Sequence, residues 1–170
     1  MSEGRSGAGG RMSRRALVIG GTGMLSPAVQ VLADEGYEVF RPSRGQGGTG
    51  GWIKADWTDP SRFARIVTQH VGHPVDLFVL WAHRPYRAEI APLLRPLVGP
   101  ATVVVEVIGS AQFRDTGEDR DIAGSRLVVL GRAAGTHGER WLTHAEISEG
   151  VLDARHAPPG AVRFVGTAPV

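Results

Sequence analysis

The stretch ALVIGGTGMLSPAVQVLADEGYEV, residues 16–39, decides the fold of this 170-residue chain. It begins with a short apolar segment and continues through a cluster of glycines. Leu25, Val29 and Leu32 then follow at helical spacing. Gly36 comes next and is a suitable residue to end a helix. The pattern predicts a buried strand, a tight turn and an amphipathic helix.

The turn has the spacing G-x-x-G-x-x-S, formed by Gly20, Gly23 and Ser26. Glycine allows the chain to turn sharply out of the strand and lets a phosphate approach the backbone. The helix that follows offers unpaired N–H groups, those of Met24 and Leu25, and the positive end of its dipole. Because the motif stands between a strand and a helix, we expect it to bind a nucleotide. The alternative is a tight turn without a ligand.

The end of the second predicted strand indicates which dinucleotide would bind. A site specific for NAD carries an acidic residue there, which binds the ribose hydroxyls. This chain has Ser43 and Arg44 instead, with Arg41 nearby, and these residues can bind and neutralise a 2′-phosphate. The sequence therefore favours NADP(H) as the cofactor. The alternative is that arginines are simply common in a chain with eighteen arginines and one lysine.

Apolar segments rich in Val, Ile and Leu alternate with amphipathic stretches along the rest of the chain. Near-continuous apolar strands are typical of a parallel sheet that is covered by helices on both faces. The alternation predicts an α/β fold with a doubly wound parallel sheet, in a three-layer αβα arrangement. The expected strands are 16–20, 38–41, 52–55, 76–81, 102–108 and 126–130, with 162–165 as a candidate for a seventh.

Three helices outside the opening stretch have recognisable signals. Asp59 and Pro60 predict the start of one helix, as N-cap and first helical residue. Internal prolines predict that a helix over residues 87–98 is kinked or broken. Thr143 and Glu146 have the spacing of a capping box and predict the start of the last helix.

Composition limits the class of protein. Hydrophobic residues make up 42% of the chain, yet no apolar run approaches the ~18–20 residues of a membrane span, so no contact with membranes is expected. Because the first residues also lack the apolar core of a secretory signal, we expect a cytoplasmic protein. The absence of cysteine excludes disulfides and zinc sites built on sulfur. The spacing of His137 and His144 matches no zinc pattern, so no metal is expected.

The first residues differ in composition from the rest. Gly, Ser and Arg dominate residues 1–14 and predict a disordered arm ahead of a single domain over residues 15–170. The arm lacks the apolar core of a secretory signal, and either Met1 or Met12 could be the natural start. Its few arginines have no interleaved aromatic residues, so nucleic acid is not an expected partner.

With these motifs, the chain resembles the short-chain dehydrogenase/reductase superfamily in an atypical, shortened form, over roughly residues 16–108. The resemblance implies a Rossmann-like sheet of strand order 3-2-1-4-5-6. It places Asp56 beside the adenine, and Trp81 to His83 where the family has Asn-Ala-Gly beside the cofactor. It also places Ser110 where the family has a catalytic serine. The residues expected to bind the cofactor are Gly20, Gly21, Thr22, Gly23, Met24, Leu25, Ser43, Arg44, Asp56, Trp81 and Ala82.

The chain departs from the family in its catalytic pair. The family's reductases use Tyr-x-x-x-Lys, in which the lysine lowers the tyrosine pKa and the tyrosine protonates the alkoxide. Here neither Tyr37 nor Tyr86 has a lysine four residues later, and the only lysine is Lys54. The roughly fifteen residues between Ser110 and the strand at 126 are also too few for the long helix that carries the pair.

Carbonyl reduction needs a proton donor, which contributes roughly 10²–10⁴ in rate. His83, Tyr86 and Ser110 are the candidate catalytic residues, because they follow predicted strands at the edge where ligands bind. Each also has a structural explanation. The histidine could be bound by backbone, the tyrosine could pack on Pro85, and small residues are common after strands.

A substrate that is already a cation removes the need for that donor. Hydride transfer to a protonated imine gives a neutral amine, and no alkoxide forms. We therefore expect an NADPH-dependent oxidoreductase that acts on a small C=N or activated C=O substrate. The alternatives are a catalytically inert NADP(H)-binding sensor or partner protein, and a non-redox enzyme that binds another nucleotide. A homodimer is expected, because pairing would cover the surface left by the missing helix.

Overall fold

The computed structural model describes residues 12–45 and 50–168, and within them nine strands alternate with five α-helices. The strands are β1 (Arg15–Ile19), β2 (Glu38–Ser43), β3 (Trp52–Lys54), β4 (Leu77–Leu80), β5 (Val103–Gly109), β6 (Arg126–Leu130), β7 (Arg132–Gly135), β8 (Gly138–Trp141) and β9 (Val162–Val165). The helices are α1 (Ser26–Asp34), α2 (Pro60–Val71), α3 (Tyr86–Leu93), α4 (Ser110–Thr116) and α5 (His144–Ala154), and a 3-10 turn covers Arg95–Leu97.

Seven strands form one sheet in the order β3-β2-β1-β4-β5-β6-β9, and every pairing in it is parallel. The predicted order 3-2-1-4-5-6 is confirmed, and the candidate seventh strand lies beside β6. Strands β7 and β8 form a separate antiparallel hairpin that the sequence did not predict. Their side chains are mostly exposed and include Ala and Gly, so they carry no apolar alternation that could have indicated strands.

The sheet is covered on both faces. In β1, Leu17 and Ile19 belong to the apolar cluster formed with α2 and α3. Ala16 and Val18 belong to the cluster formed with α1 and α5. All four side chains have no exposed surface, which explains why the strand reads as a continuous apolar run. The predicted three-layer αβα arrangement is confirmed.

The helix ends follow the predicted local signals. The side chain of Asp59 accepts a hydrogen bond from the N–H of Arg62 at 3.2 Å, which caps α2. Helix α3 contains Pro92 in its last turn, stops one residue later and continues as a 3-10 turn, as expected for an internal proline. At the start of α5, Thr143 and Glu146 form a capping box with N–H to oxygen distances of 3.2 and 2.7 Å.

Helix α5 holds α1 at both ends. The Ser148 hydroxyl, which is 2% exposed, donates to the carbonyl oxygen of Met24 at 3.3 Å, just before α1. At the other end, the Arg155 guanidinium binds both carboxylate oxygens of Glu35 at 2.8 Å, and this pair lowers the pKa of Glu35. The last helix therefore fixes the position of the first.

A buried polar network joins β5 to α3 and to the loop before β6. Glu106 is 0% exposed and pairs with Arg87, which is 1% exposed. The Glu106 carboxylate also accepts hydrogen bonds from the N–H of Asp121 at 3.0 Å, the N–H of Ile122 at 2.9 Å and the hydroxyl of Ser125 at 2.7 Å. The network satisfies a carboxylate inside the core and anchors the loop to the sheet.

Two further features bear on the sequence predictions. Helix α4, between β5 and β6, has only seven residues, as the short spacing predicted. No helix in the described part of the chain is long and apolar enough to cross a membrane. Residues 1–11 of the predicted arm lie outside the described residues, so the arm stays a prediction.

Candidate functional site

The glycine turn connects β1 to α1 at the carboxyl edge of the sheet. Gly20 has a φ of 90°, a value that residues with a side chain rarely adopt. The N–H of Gly23 donates to the Gly20 carbonyl at 3.2 Å, and the N–H of Ser26 donates to the Gly23 carbonyl at 3.0 Å. Two successive tight turns therefore bring the chain directly into the first helix.

Space around the turn is limited on one side. A Cβ on Gly20 would lie 2.8 Å from Cδ1 of Trp81, so this tryptophan packs on the turn. A Cβ on Gly21 would lie 2.9 Å from a methyl carbon of Val29, so Gly21 permits the close packing of α1 on β1. At Gly23 the nearest atom to a Cβ would be 3.8 Å away, which leaves this residue open.

A cavity of about 390 Å³ lies over the turn, beside the ends of β1, β2 and β3. Its wall contains eight of the residues expected to bind the cofactor: Gly20, Thr22, Gly23, Met24, Ser43, Arg44, Asp56 and Trp81. The wall is completed by four residues that were not among those predicted to bind the cofactor: Pro42, Gly45, Ala55 and Trp57. Each of these four is a chain neighbour of a predicted residue, so the strand-end positions could have indicated them.

Three expected cofactor residues do not line this cavity. Gly21 packs between β1 and α1, as described above. Leu25 is 0% exposed in the core under α1, and Ala82 is buried in the core on the other face of the sheet. These three residues pack beneath the turn and do not line the cavity.

The wall contains groups that can bind a phosphate and groups that can bind a nucleobase. The backbone N–H groups of Thr22 and Met24 have no acceptor within the part of the chain that the structure describes. The hydroxyl of Ser43 accepts from the Trp52 indole N–H at 2.9 Å, which fixes it beside Arg44 and leaves its own proton to donate. Such N–H groups and a guanidinium are the usual ligands of phosphate.

Asp56, two residues after β3, adds a carboxylate to the cavity wall. Its Oδ1 accepts from the N–H of Thr58 at 3.0 Å, and the hydrogen bonds from Thr58 lower the pKa of Asp56. The charge of Arg44 lowers it further. The carboxylate therefore stays ionised and can accept a hydrogen bond from an amino group.

Aromatic rings form the rim of the cavity. The His83 ring lies 5.7 Å from the ring of Trp81 and 6.4 Å from that of Trp57, edge-on in both cases. Of the three candidate catalytic residues, His83 is thus in contact with the cavity wall. Tyr86 and Ser110 begin α3 and α4 and are not part of that wall.

The comparisons with known proteins concern the fold. No protein-family model matches the chain, and no curated protein matches it in sequence. A short-chain dehydrogenase/reductase from Serratia marcescens superposes with a TM-score of 0.63 at 18% identity, over 90% of this chain and 95% of that one. A short-chain dehydrogenase from Burkholderia cenocepacia in complex with NADP gives 0.64 at 15% identity, over 91% and 89%.

A third structural relative is a 3-alpha-hydroxysteroid dehydrogenase from a Pseudomonas species, complexed with NADH. It gives a TM-score of 0.59 at 18% identity, over 89% of this chain and 94% of that one. The strand order, the glycine turn and these superpositions agree with the resemblance found in the sequence. This chain therefore has the Rossmann-like fold of the short-chain dehydrogenases/reductases.

Proposed function

We propose that this protein is an oxidoreductase that uses NADP(H). The observation that carries the proposal is the cavity over the glycine turn, in which open backbone N–H groups and Arg44 lie around one space. Gly23 leaves that space open to a phosphate, and Asp56 offers an acceptor to the adenine amino group. The residues present therefore fit the adenosine and phosphate groups of such a cofactor.

The preference for NADP(H) over NAD(H) rests on the end of β2. Ser43 and Arg44 line the cavity where an acidic residue would bind the ribose hydroxyls of NAD. A hydroxyl and a guanidinium bind a 2′-phosphate, and a carboxylate would repel it. The structural relatives include complexes with NADP and with NADH, so the choice depends on these two residues.

We further propose that the substrate has a small C=N bond or an activated C=O bond. A bound reduced nicotinamide supplies a hydride. The chain has no Tyr-x-x-x-Lys pair to protonate an alkoxide, so a protonated imine is the substrate that best suits its residues. His83, at the aromatic rim, is the first candidate to orient the substrate or hold a proton. Tyr86 and Ser110 remain candidates for contacts with the substrate.

A second candidate function is that of an NADP(H)-binding protein without turnover, a sensor or a partner subunit. It is favoured by the absence of a Tyr-x-x-x-Lys pair from the sequence and by the short helix α4, which has only seven residues. Both functions are consistent with a homodimer and a cytoplasmic location, which stay predictions.

Titration calorimetry with NADPH and NADH tests the cofactor. We expect NADPH to bind at least about tenfold more tightly, because one charge-assisted contact is worth about 1.5–3 kcal/mol and 1.4 kcal/mol is a factor of ten. Arg44→Ala should remove most of this preference and change NADH binding little. Arg65→Ala is the matched control, because Arg65 is exposed on α2 and outside the cavity. Equal binding of the two cofactors by the unmodified protein would contradict the proposal.

Turnover separates the two candidate functions. NADPH oxidation is followed at 340 nm, the absorbance of the reduced nicotinamide, with a panel of cyclic imines and activated ketones. Turnover of imines supports the reductase. Tight NADPH binding with no turnover across the panel favours the binding protein.

A further inference from the structure

Trp81 directly follows β4 at the carboxyl edge of the sheet, beside the glycine turn. Its backbone N–H donates to the Ile19 carbonyl at 3.1 Å, which continues the pairing of β4 with β1 and fixes the backbone there. Its side chain packs on the glycine turn: a Cβ on Gly20 would lie 2.8 Å from Cδ1, 3.1 Å from Cβ and 3.3 Å from Cγ of Trp81. The indole therefore covers the place where β1 ends.

That place is the point where the strand order reverses. Strands β2 and β3 lie on one side of β1, whereas β4, β5, β6 and β9 lie on the other. A dinucleotide on such a sheet crosses this point, with one nucleotide over each half. A large side chain at this point lies between the two halves of such a site.

The shape of the cavity agrees with this position. Apart from Trp81, its described wall comes entirely from the turn after β1 and from the ends of β2 and β3. Among the described residues, none from the ends of β5 or β6 takes part. The cavity of about 390 Å³ is also at the small end of the roughly 300–1,000 Å³ range of ligand pockets. It has the location and size of a site for one nucleotide.

We infer that Trp81 confines tight binding to the adenosine 2′-phosphate half of NADP(H), and that the nicotinamide half gains few contacts while the indole packs on Gly20. This inference rests on the proposed function, in that the cavity must take NADP(H). It favours the second candidate, binding without turnover, because a nicotinamide with few contacts is not positioned for hydride transfer. Trp57 and Arg44 serve the adenosine half, since both lie on the β2 and β3 side of Trp81. Trp81 is then a specificity-determining residue that sets how much of the dinucleotide the protein recognises.

The test compares adenosine 2′,5′-bisphosphate with NADPH by titration calorimetry on the full chain. For the unmodified protein, we expect the two dissociation constants to agree within about threefold, because the nicotinamide half adds little. In Trp81→Ala, NADPH should bind at least about tenfold more tightly than the bisphosphate, because the second half gains access. Trp81→Phe removes part of the indole and should give an intermediate ratio if the alanine variant does not fold.

Two other tryptophans provide matched controls. Trp57→Ala should weaken both ligands by a similar factor, since Trp57 lines the adenosine side. Trp141→Ala should change neither, since Trp141 is 75% exposed on the hairpin. The inference is overturned if the unmodified protein binds NADPH tenfold or more tightly than the bisphosphate, or if both Trp81 variants keep the ratio of the unmodified protein. If neither ligand binds the unmodified protein, the proposed function itself fails.

Discussion

Replacement of the buried carboxylate in β5 should reduce stability more than any single change on the surface. Glu106→Gln keeps the size of the side chain and removes its charge, so Arg87 stays buried without its main counter-charge. Loss of one partner of a buried ion pair costs about 3–5 kcal/mol. Asp121 Oδ2 lies 2.8 Å from Nε of Arg87 and offsets part of this loss, so we expect a value near 3 kcal/mol.

Urea unfolding followed by far-ultraviolet circular dichroism measures the effect. With a denaturant dependence of about 2 kcal/mol per molar urea, a loss of about 3 kcal/mol lowers the midpoint by about 1.5 M. Asp119→Asn is the matched control, because Asp119 forms an ion pair with Arg84 at 2.7 Å in which both side chains are about half exposed. An exposed pair contributes only about 0–1 kcal/mol.

A double variant isolates the cause of the loss. Arg87→Met combined with Glu106→Gln removes the buried unpaired charge, so it should lose less stability than the sum of the two single variants. The reasoning is refuted if Glu106→Gln and Asp119→Asn lower the midpoint equally, or if the two buried changes are simply additive.

Three other expectations concern separate parts of the molecule. Gly21→Ala should lower the free energy of unfolding by about 1–3 kcal/mol, because its Cβ would lie 2.9 Å from a side-chain carbon of α1, whereas Gly23→Ala has room for its Cβ and should weaken only NADPH binding. Urea unfolding and calorimetry distinguish these effects, and equal midpoints for the two variants would contradict the packing argument. Arg140 holds the pKa of Glu146 at about 2, so the stability from this carboxylate is present above its ordinary pKa of 4.5 and is lost as the pH falls through about 2. The urea midpoint of Glu146→Gln should therefore fall less than that of the unmodified protein between about pH 5 and about pH 2, and parallel curves would argue against it. Phe164 is 44% exposed on β9, which pairs only with β6 within the described residues, so we expect a homodimer through this edge that Phe164→Glu disrupts. Light scattering after size exclusion measures the mass, and a monomeric unmodified protein would rule this out.

The fold was predictable because its central strands are buried on both faces. Strands β4 and β5 read as continuous runs of Val, Leu, Ile and Phe, interrupted in β5 only by Glu106. The glycine turn was predictable for a related reason, since Gly20 and Gly23 stand directly between such a strand and an amphipathic helix. In these segments the residues that favour the local strand, turn or helix are the same residues that the packing of the whole fold requires.

The site was predictable only in part, because neighbours along the chain and neighbours in space differ at the sheet edge. Ser43 and Arg44 follow β2, which lies beside β1, and they line the cavity. Ser110 also follows a strand, β5, but β4 lies between β5 and β1. Ser110 therefore does not line the cavity. The packing of Trp81 on Gly20 has no signal in the sequence, because it depends on the register between β1 and β4.

The hydrogen bond between α5 and the glycine turn has a consequence for how the protein is made. Ser148 holds the carbonyl of Met24 from 124 positions further along the chain. During synthesis from the amino terminus, the turn emerges from the ribosome long before the helix that supports it. We therefore expect the proposed nucleotide site at the beginning of the chain to reach its final form only when the last helix has docked, and ligand capture by a nascent chain would report that this late step is complete.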